Sequence, residues 1–390
     1  MTDILPTPHP ATGGAPPVPG GATAPGGTSP AIAPDVRTPA GEPATPPPAP
    51  APKQRDAYFD NAKFFTAILV VLGHVWAQLG DSNAVDAAYV VLYAFHMPVF
   101  VFISGYFSRG FMRSTDKFRS IFPTLVVPYV IFILLYRAQL IFINDVDFRL
   151  SEIFRPHFLM WFLVALVLWR LSAPLWGHLR HPVAISVALS LVAGSWAFTA
   201  DSTVSRAAGL LPLFVLGLTI KPEHVRRLRA GWARWAGLAV LAAALPVAYV
   251  WRLGDVVPRI DTGFLYWNKG YADLGFGAAE GMTWRLVTLA FAVLLGAAFL
   301  ACVPRGRAWY TEMGTRTMYV YLLHGLIVKT FDYTGMLDKP FLHEPLGIVA
   351  VTLACVALGV VLATAPVQRL TRWAVEPDAR WLLKPAHGRT

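Results

Sequence analysis

From Tyr58 onward, long apolar blocks alternate with short polar ones. A bilayer-crossing helix needs roughly 20 apolar residues, and the pattern predicts ten such spans. They fall at about 60–80, 87–108, 121–143, 158–176, 182–200, 206–220, 235–252, 284–303, 317–335 and 345–366. The fifth and sixth are the weakest, because ADSTVSR between them is short and the sixth block is brief. The fold expected is all-α: a polytopic transmembrane bundle over residues 55–376, with a short C-terminal tail at 377–390. Residues 1–54 break the pattern. They are Pro, Ala, Gly and Thr with almost no aromatics, and cannot bury enough apolar surface to offset their ordering entropy. A disordered cytoplasmic tail is expected there, either a Pro-rich docking segment or a plain spacer.

Composition supports the membrane reading. Of 390 residues, 55% are hydrophobic and 14% charged, where a soluble domain carries about a quarter charged. The net charge of +10 does not indicate nucleic acid, since no basic run is interleaved with exposed aromatics. It concentrates instead in alternate loops: Arg109, Arg113, Lys117 and Arg119; then Lys221, Arg226, Arg227, Arg229 and Arg234; then Arg305, Arg307 and Arg316. The positive-inside rule places those loops and both termini in the cytoplasm, with the plasma membrane as the expected location. Cys302 and Cys355 both sit in apolar spans and offer neither a disulfide framework nor a metal-ligand spacing. No bound cofactor and no metal is expected. MTDILPTPHP lacks a basic region followed by an apolar one, so no cleavable signal is expected either.

The first span, DNAKFFTAILVVLGHVWAQL, carries Lys63 near one end and His74 well inside. Ionisable groups in a span are costly and mark functional sites by default. Eleven residues at about 100° each make roughly three turns, so both side chains share a face and stand about 16 Å apart along the axis. A lone histidine in a bundle is commonly a hydrogen-bonder between helices. Here a preceding glycine and a lysine on the same face favour a general base, the usual role of a neutral imidazole. In the second span His96 precedes Pro98, where a kink is expected. That span ends in Arg109 and Arg113, either topology-setting charges or holders of anionic phosphates. The loop from about 253 to 283 (GFLYWNKGYADLGFG) suits sugar stacking or an interfacial aromatic belt.

Four blocks in order, FDNAKFFTAILVVLGH, FHMPVFVFISGY, MWFLVALVLWR and GTRTMYVYLLHG, resemble the acyltransferase-3 family of integral-membrane O-acyltransferases, closest to its fucose-4-O-acetylase-like branch. The resemblance covers about residues 56–370. It implies a ten-span bundle that takes acetyl from acetyl-CoA on the cytoplasmic side and delivers it to a hydroxyl of a sugar, cell-surface glycan or lipid-linked acceptor. By the same resemblance His74 is catalytic and Lys63 helps place the donor. Many members have arginine at the Lys63 position, and two arginines separated by two residues where Arg109 and Arg113 are separated by three. No carboxylate is evident to orient His74, with Asp60, Asp81 and Glu312 the nearest in sequence. Asn61, His96, Trp161 and Tyr319 are candidate oxyanion donors, and His324, in YLLHG, is a second catalytic candidate.

Two other classes compete with the enzyme. A transporter of a glycan or lipid-linked intermediate would want paired broken helices and acidic relays, which the sequence lacks. A scaffold built on the Pro-rich tail would lose its function on deletion of residues 1–54, whereas an enzyme would keep most of it.

Overall fold

Each apolar block folds as helix because a chain without water partners must bond its backbone internally. The computed structural model describes residues 55–79, 82–114, 117–147, 149–195, 202–253 and 262–378. The tail at 1–54 and nearly all of 377–390 lie outside the described residues. So do residues 254–261 of the long loop, and with them Asp255, Arg259 and Asp261.

In chain order the helices are α1 (Ala57–Trp76), α2 (Asn83–Phe107), α3 (Phe118–Asn144), α4 (Trp161–His178), α5 (Pro182–Ala193) and α6 (Ser202–Thr219). They continue with α7 (Pro222–Leu228), α8 (Gly231–Leu253), α9 (Ala278–Cys302), α10 (Thr317–Tyr333), α11 (Pro345–Leu362) and α12 (Ala365–Val375). Among the described residues there is no strand. The helix starts follow local chemistry. The Asp56 carboxylate accepts from the Tyr58 N–H at 3.1 Å, and the Ser82 hydroxyl accepts from Ala84 at 3.3 Å. Pro182, Pro222 and Pro345 occupy first turns, where a missing N–H costs nothing.

A helix stands at each of the ten expected places, but ten spans are not established. Among the described residues six helices (α2, α3, α4, α8, α9 and α11) are long and apolar enough to cross a membrane, and a seventh crossing appears if the bent pair α6–α7 is one span. The reasons differ from helix to helix. In α1 the polar residues Asp60, Asn61, Lys63 and His74 lower the apolarity. α5 has only 12 residues and ends before Gly194, on which Tyr271 packs, the Tyr271 N–H donating to the Gly194 carbonyl at 2.8 Å. α10 has 17 residues. The α6–α7 pair bends by 101° before Pro222. α2 continues unbroken through Pro98. In α3 a wide π turn at Phe122–Val126 absorbs Pro123 and Pro128.

Burial sorts the helices into centre and rim. In α2, 61% of the apolar stretch is buried, against 17% in α8 and 22% in α3. α2 is therefore the hub, and α3 and α8 turn most of their side chains outward, as lipid-facing helices do. Its tightest contact is with α6. A Cβ on Gly105 would lie 2.1 Å from the Phe214 carbonyl oxygen, and one on Gly217 would lie 2.0 Å from that of Phe102. The backbones touch, as small residues in membrane helices permit. Gly105→Ala is therefore expected to force the pair apart and cost about 1–3 kcal/mol, read as a lower melting temperature in detergent. An unchanged melting temperature would show that the crossing is looser than it looks.

Candidate active site

α1 carries two polar groups at its two ends, and the fold gives each a separate setting. At the first end the Lys63 ammonium lies 2.6 Å from the Asp60 carboxylate, three residues back on the same face. Arg55 approaches the other Asp60 oxygen at 3.7 Å. The Asp60 side chain is 7% exposed and that of Lys63 16%, and the ammonium sits 5.0 Å over the Phe107 ring. Asp60 thus pairs with Lys63 and has no part in orienting His74. Asn61, fully buried, donates from its amide to the carbonyls of Pro304 at 2.8 Å and Gly306 at 2.9 Å. It ties the α9–α10 connection to α1, and both donors are spent there rather than held for an oxyanion.

Arg109 is also engaged. Its guanidinium donates to the carbonyls of Gly217 (3.3 Å) and Ile220, stacks 4.2 Å over Tyr106, and so caps the C-terminal end of α6. Arg113 is exposed. Glu312 pairs with Arg316 at 2.5 Å, and Tyr319 lies beside Glu376 and Gln368, at the opposite end of α10 from Lys329. Asp81 lies outside the described residues.

At the second end three histidines from three helices converge. The His74 ring centroid is 5.5 Å from that of His324 and 4.6 Å from that of Phe158. His96 directs Nε2 at Gly73, where an added Cβ would lie 3.4 Å away. Glycine before His74 is what lets α1 approach this ring. His96 Nδ1 bonds the Leu92 carbonyl at 2.9 Å and His324 Nδ1 the Val320 carbonyl at 2.7 Å. A carbonyl only accepts, so both Nδ1 atoms carry the proton and both Nε2 atoms present lone pairs. His324 is fully buried, and its Nε2 has no hydrogen-bond partner. His74 is half-buried, and among the described residues no carboxylate lies beside it. Its charged or titratable neighbours are His324, His96, Arg206 and Lys329.

Residues that the sequence did not single out complete this end. Phe158 holds a left-handed backbone (φ 52°) just before α4. Such strain in a non-glycine residue persists only where the surroundings enforce it, and it clusters at functional sites. Lys329, paired with Asp332 at 2.5 Å, holds its ammonium 4.8 Å from the centre of the Phe158 ring. Arg206, at the start of α6, sits 5.1 Å over Trp161, and its Nε donates to the Tyr266 carbonyl at 3.4 Å. The Tyr266 hydroxyl shares a 2.8 Å hydrogen bond with Tyr89. The Tyr266 ring is 4.8 Å from Tyr93, which is in turn 4.6 Å edge-on to His96. A ladder of tyrosines therefore leads from the long loop to the histidines. The aromatic loop composition was the one sequence signal for it.

The structure thus brings His74, His96, His324 and Trp161 to one end, and Lys63, Asp60, Asn61 and Arg109 to the other. Neither the apolar cavity of about 230 Å³ between α2, α6 and α9 nor the open cleft of about 660 Å³ beside Arg170 has His74 in its wall. Among the described residues no cluster of metal-ligating side chains exists.

No curated protein and no solved structure matches the chain. A family model for an acyltransferase domain, that of acyltransferase-3, matches residues 56–364. That span takes in both ends of α1, the histidine cluster and every helix through α11. The chain belongs to the acyltransferase-3 family, as a multi-pass membrane acyltransferase with an acyl donor and a hydroxyl acceptor.

Proposed function

We propose that this protein is a plasma-membrane O-acetyltransferase that moves acetyl from cytoplasmic acetyl-CoA to a hydroxyl of a sugar, cell-surface glycan or lipid-linked acceptor. The observation that carries the reading is the polarity of α1, with an ion-paired lysine at one end and a three-histidine cluster at the other. Both termini, and with them the Lys63 end, face the cytoplasm by the distribution of Lys and Arg in the loops. The donor then arrives at the Lys63 end with its thioester reaching toward His74. The acceptor arrives along Tyr266, Tyr93 and Trp161, whose rings suit the faces of a sugar.

In the reaction, His74 takes the proton of the acceptor hydroxyl as its oxygen attacks the thioester carbonyl carbon. The tetrahedral intermediate collapses, the C–S bond breaks, and the departing thiolate takes the proton back from the imidazolium. The products are an acyl ester and free coenzyme A, with no redox partner. His324, 5.5 Å away between ring centroids, is close enough for one hydroxyl to meet both rings and steadies that proton with its free Nε2 lone pair. The free Nε2 of His324 donates only when that ring is protonated, so the oxyanion would be met by an imidazolium, by the Trp161 indole or by Arg206.

The test is a comparison of surface glycans and lipids by mass spectrometry in cells with and without the gene. Loss of an O-acetyl mass increment from one species is expected on deletion. An unchanged O-acyl inventory would favour transport of an intermediate instead.

A further inference from the structure

The groups expected to hold the donor's phosphates are largely occupied: Lys63 by Asp60, Arg109 by the carbonyls that end α6. A different guanidinium on the same side of the bundle has no ion pair among the described residues. Arg170 lies twelve residues along the helix from Phe158, so about 18 Å from the ring that touches His74. Its Nε makes one long bond of 3.4 Å to the Ser108 hydroxyl, and its plane stacks 5.1 Å over Phe111. Among the described residues no acidic side chain pairs with it. It forms one wall of the open cleft of about 660 Å³, with Lys117, Ser114, Ser120 and Thr124 on the others. The Ser120 and Thr124 hydroxyls spend their protons on backbone carbonyls at 2.6 Å each. The donors that remain for a ligand are the Arg170 guanidinium, the Lys117 ammonium and the Ser114 hydroxyl.

A half-buried guanidinium with no counter-ion among the described residues, sharing an open cleft with a lysine, is a site for a multiply charged anion. Resting on the acyl-CoA reading above, we infer that the Arg170–Lys117 cleft holds the phosphate groups of the donor. The pantetheine arm then runs along α4 toward His74. The 18 Å along the helix matches the reach of such an arm from its diphosphate to its thioester. Arg170 supplies a planar fork for paired phosphate oxygens and Lys117 a mobile point charge. The same chemistry would also recognise the headgroup of an anionic phospholipid, so the experiment separates the two sources.

Full-length protein in phosphatidylcholine nanodiscs is titrated with coenzyme A, for the wild type and for Arg170→Gln, Lys117→Ala and His74→Ala. Lys117 is exposed, so its variant tests the cleft even if Arg170→Gln folds poorly. Weakening of about ten- to hundredfold is expected for Arg170→Gln, and less for Lys117→Ala, with His74→Ala binding like wild type. A second series adds phosphatidylglycerol to the nanodiscs. If wild type, Arg170→Gln and Lys117→Ala all bind coenzyme A equally, the cleft is not the donor site, while the catalytic reading stands. If the variants change only the response to phosphatidylglycerol, the cleft is a lipid site and the inference fails. If wild type binds no coenzyme A, the acyl-CoA reading itself fails, and this inference with it.

Discussion

Replacing His74 by alanine is expected to lower acyl transfer by about 10²–10⁴-fold, the range in which a positioned general base contributes. The protein should still reach the membrane at wild-type level. His74 is half-buried, and the described residues give it ring contacts but no hydrogen bond that the fold would miss. The loss should therefore fall on kcat, with little change in donor KM, because the donor's phosphates are gripped far from His74. His324→Ala is expected to act in the same direction, since its buried Nε2 lone pair is aimed into the site without a protein partner. A His74→Ala protein that transfers acyl groups at near-normal rates would remove the base from the mechanism.

The second large effect concerns stability as much as activity. Lys63→Ala leaves the buried Asp60 carboxylate with only the exposed Arg55 at 3.7 Å. Removing one partner of a buried pair costs about 3 kcal/mol or more, so this variant should melt well below wild type. Lys63→Arg keeps the charge and most of that stability. The double variant Asp60→Asn, Lys63→Met separates the pair's two roles, because it removes both charges and leaves neither stranded. Recovered stability with a raised donor KM is expected if Lys63 also helps place the donor. Recovered stability with wild-type donor KM would make Lys63 a purely structural residue.

The legible part of this protein was local. α1's one-face alignment of Lys63 with His74 followed from helical geometry alone, whereas Asp60, read as a possible partner of His74, pairs with Lys63 instead. Every apolar block became a helix because the block lengths and caps agree with each other. What the sequence did not carry was whatever depends on approach between distant segments. His324 stands 250 positions from His74, and only packing of α10 beside α1 brings their rings together. The fifth block looks long enough to cross a bilayer, but its helix stops at Ala193, and Gly194 beyond it receives Tyr271 from the distant long loop. Arg109 and Arg170 look alike in sequence, both basic residues near span ends. One is consumed by α6 carbonyls and the other faces an open cleft, a difference that depends on where α6 ends. Phe158 gave no signal, since a left-handed phenylalanine cannot be read from its neighbours.

The most direct measurement is transfer of labelled acetyl from acetyl-CoA in membrane vesicles of defined orientation, carrying either wild type or His74→Ala. The account predicts label in the acceptor fraction only from wild type, and only when acetyl-CoA bathes the face bearing the Lys63 end. Equal labelling by the His74→Ala vesicles, or labelling from the opposite face alone, would contradict it.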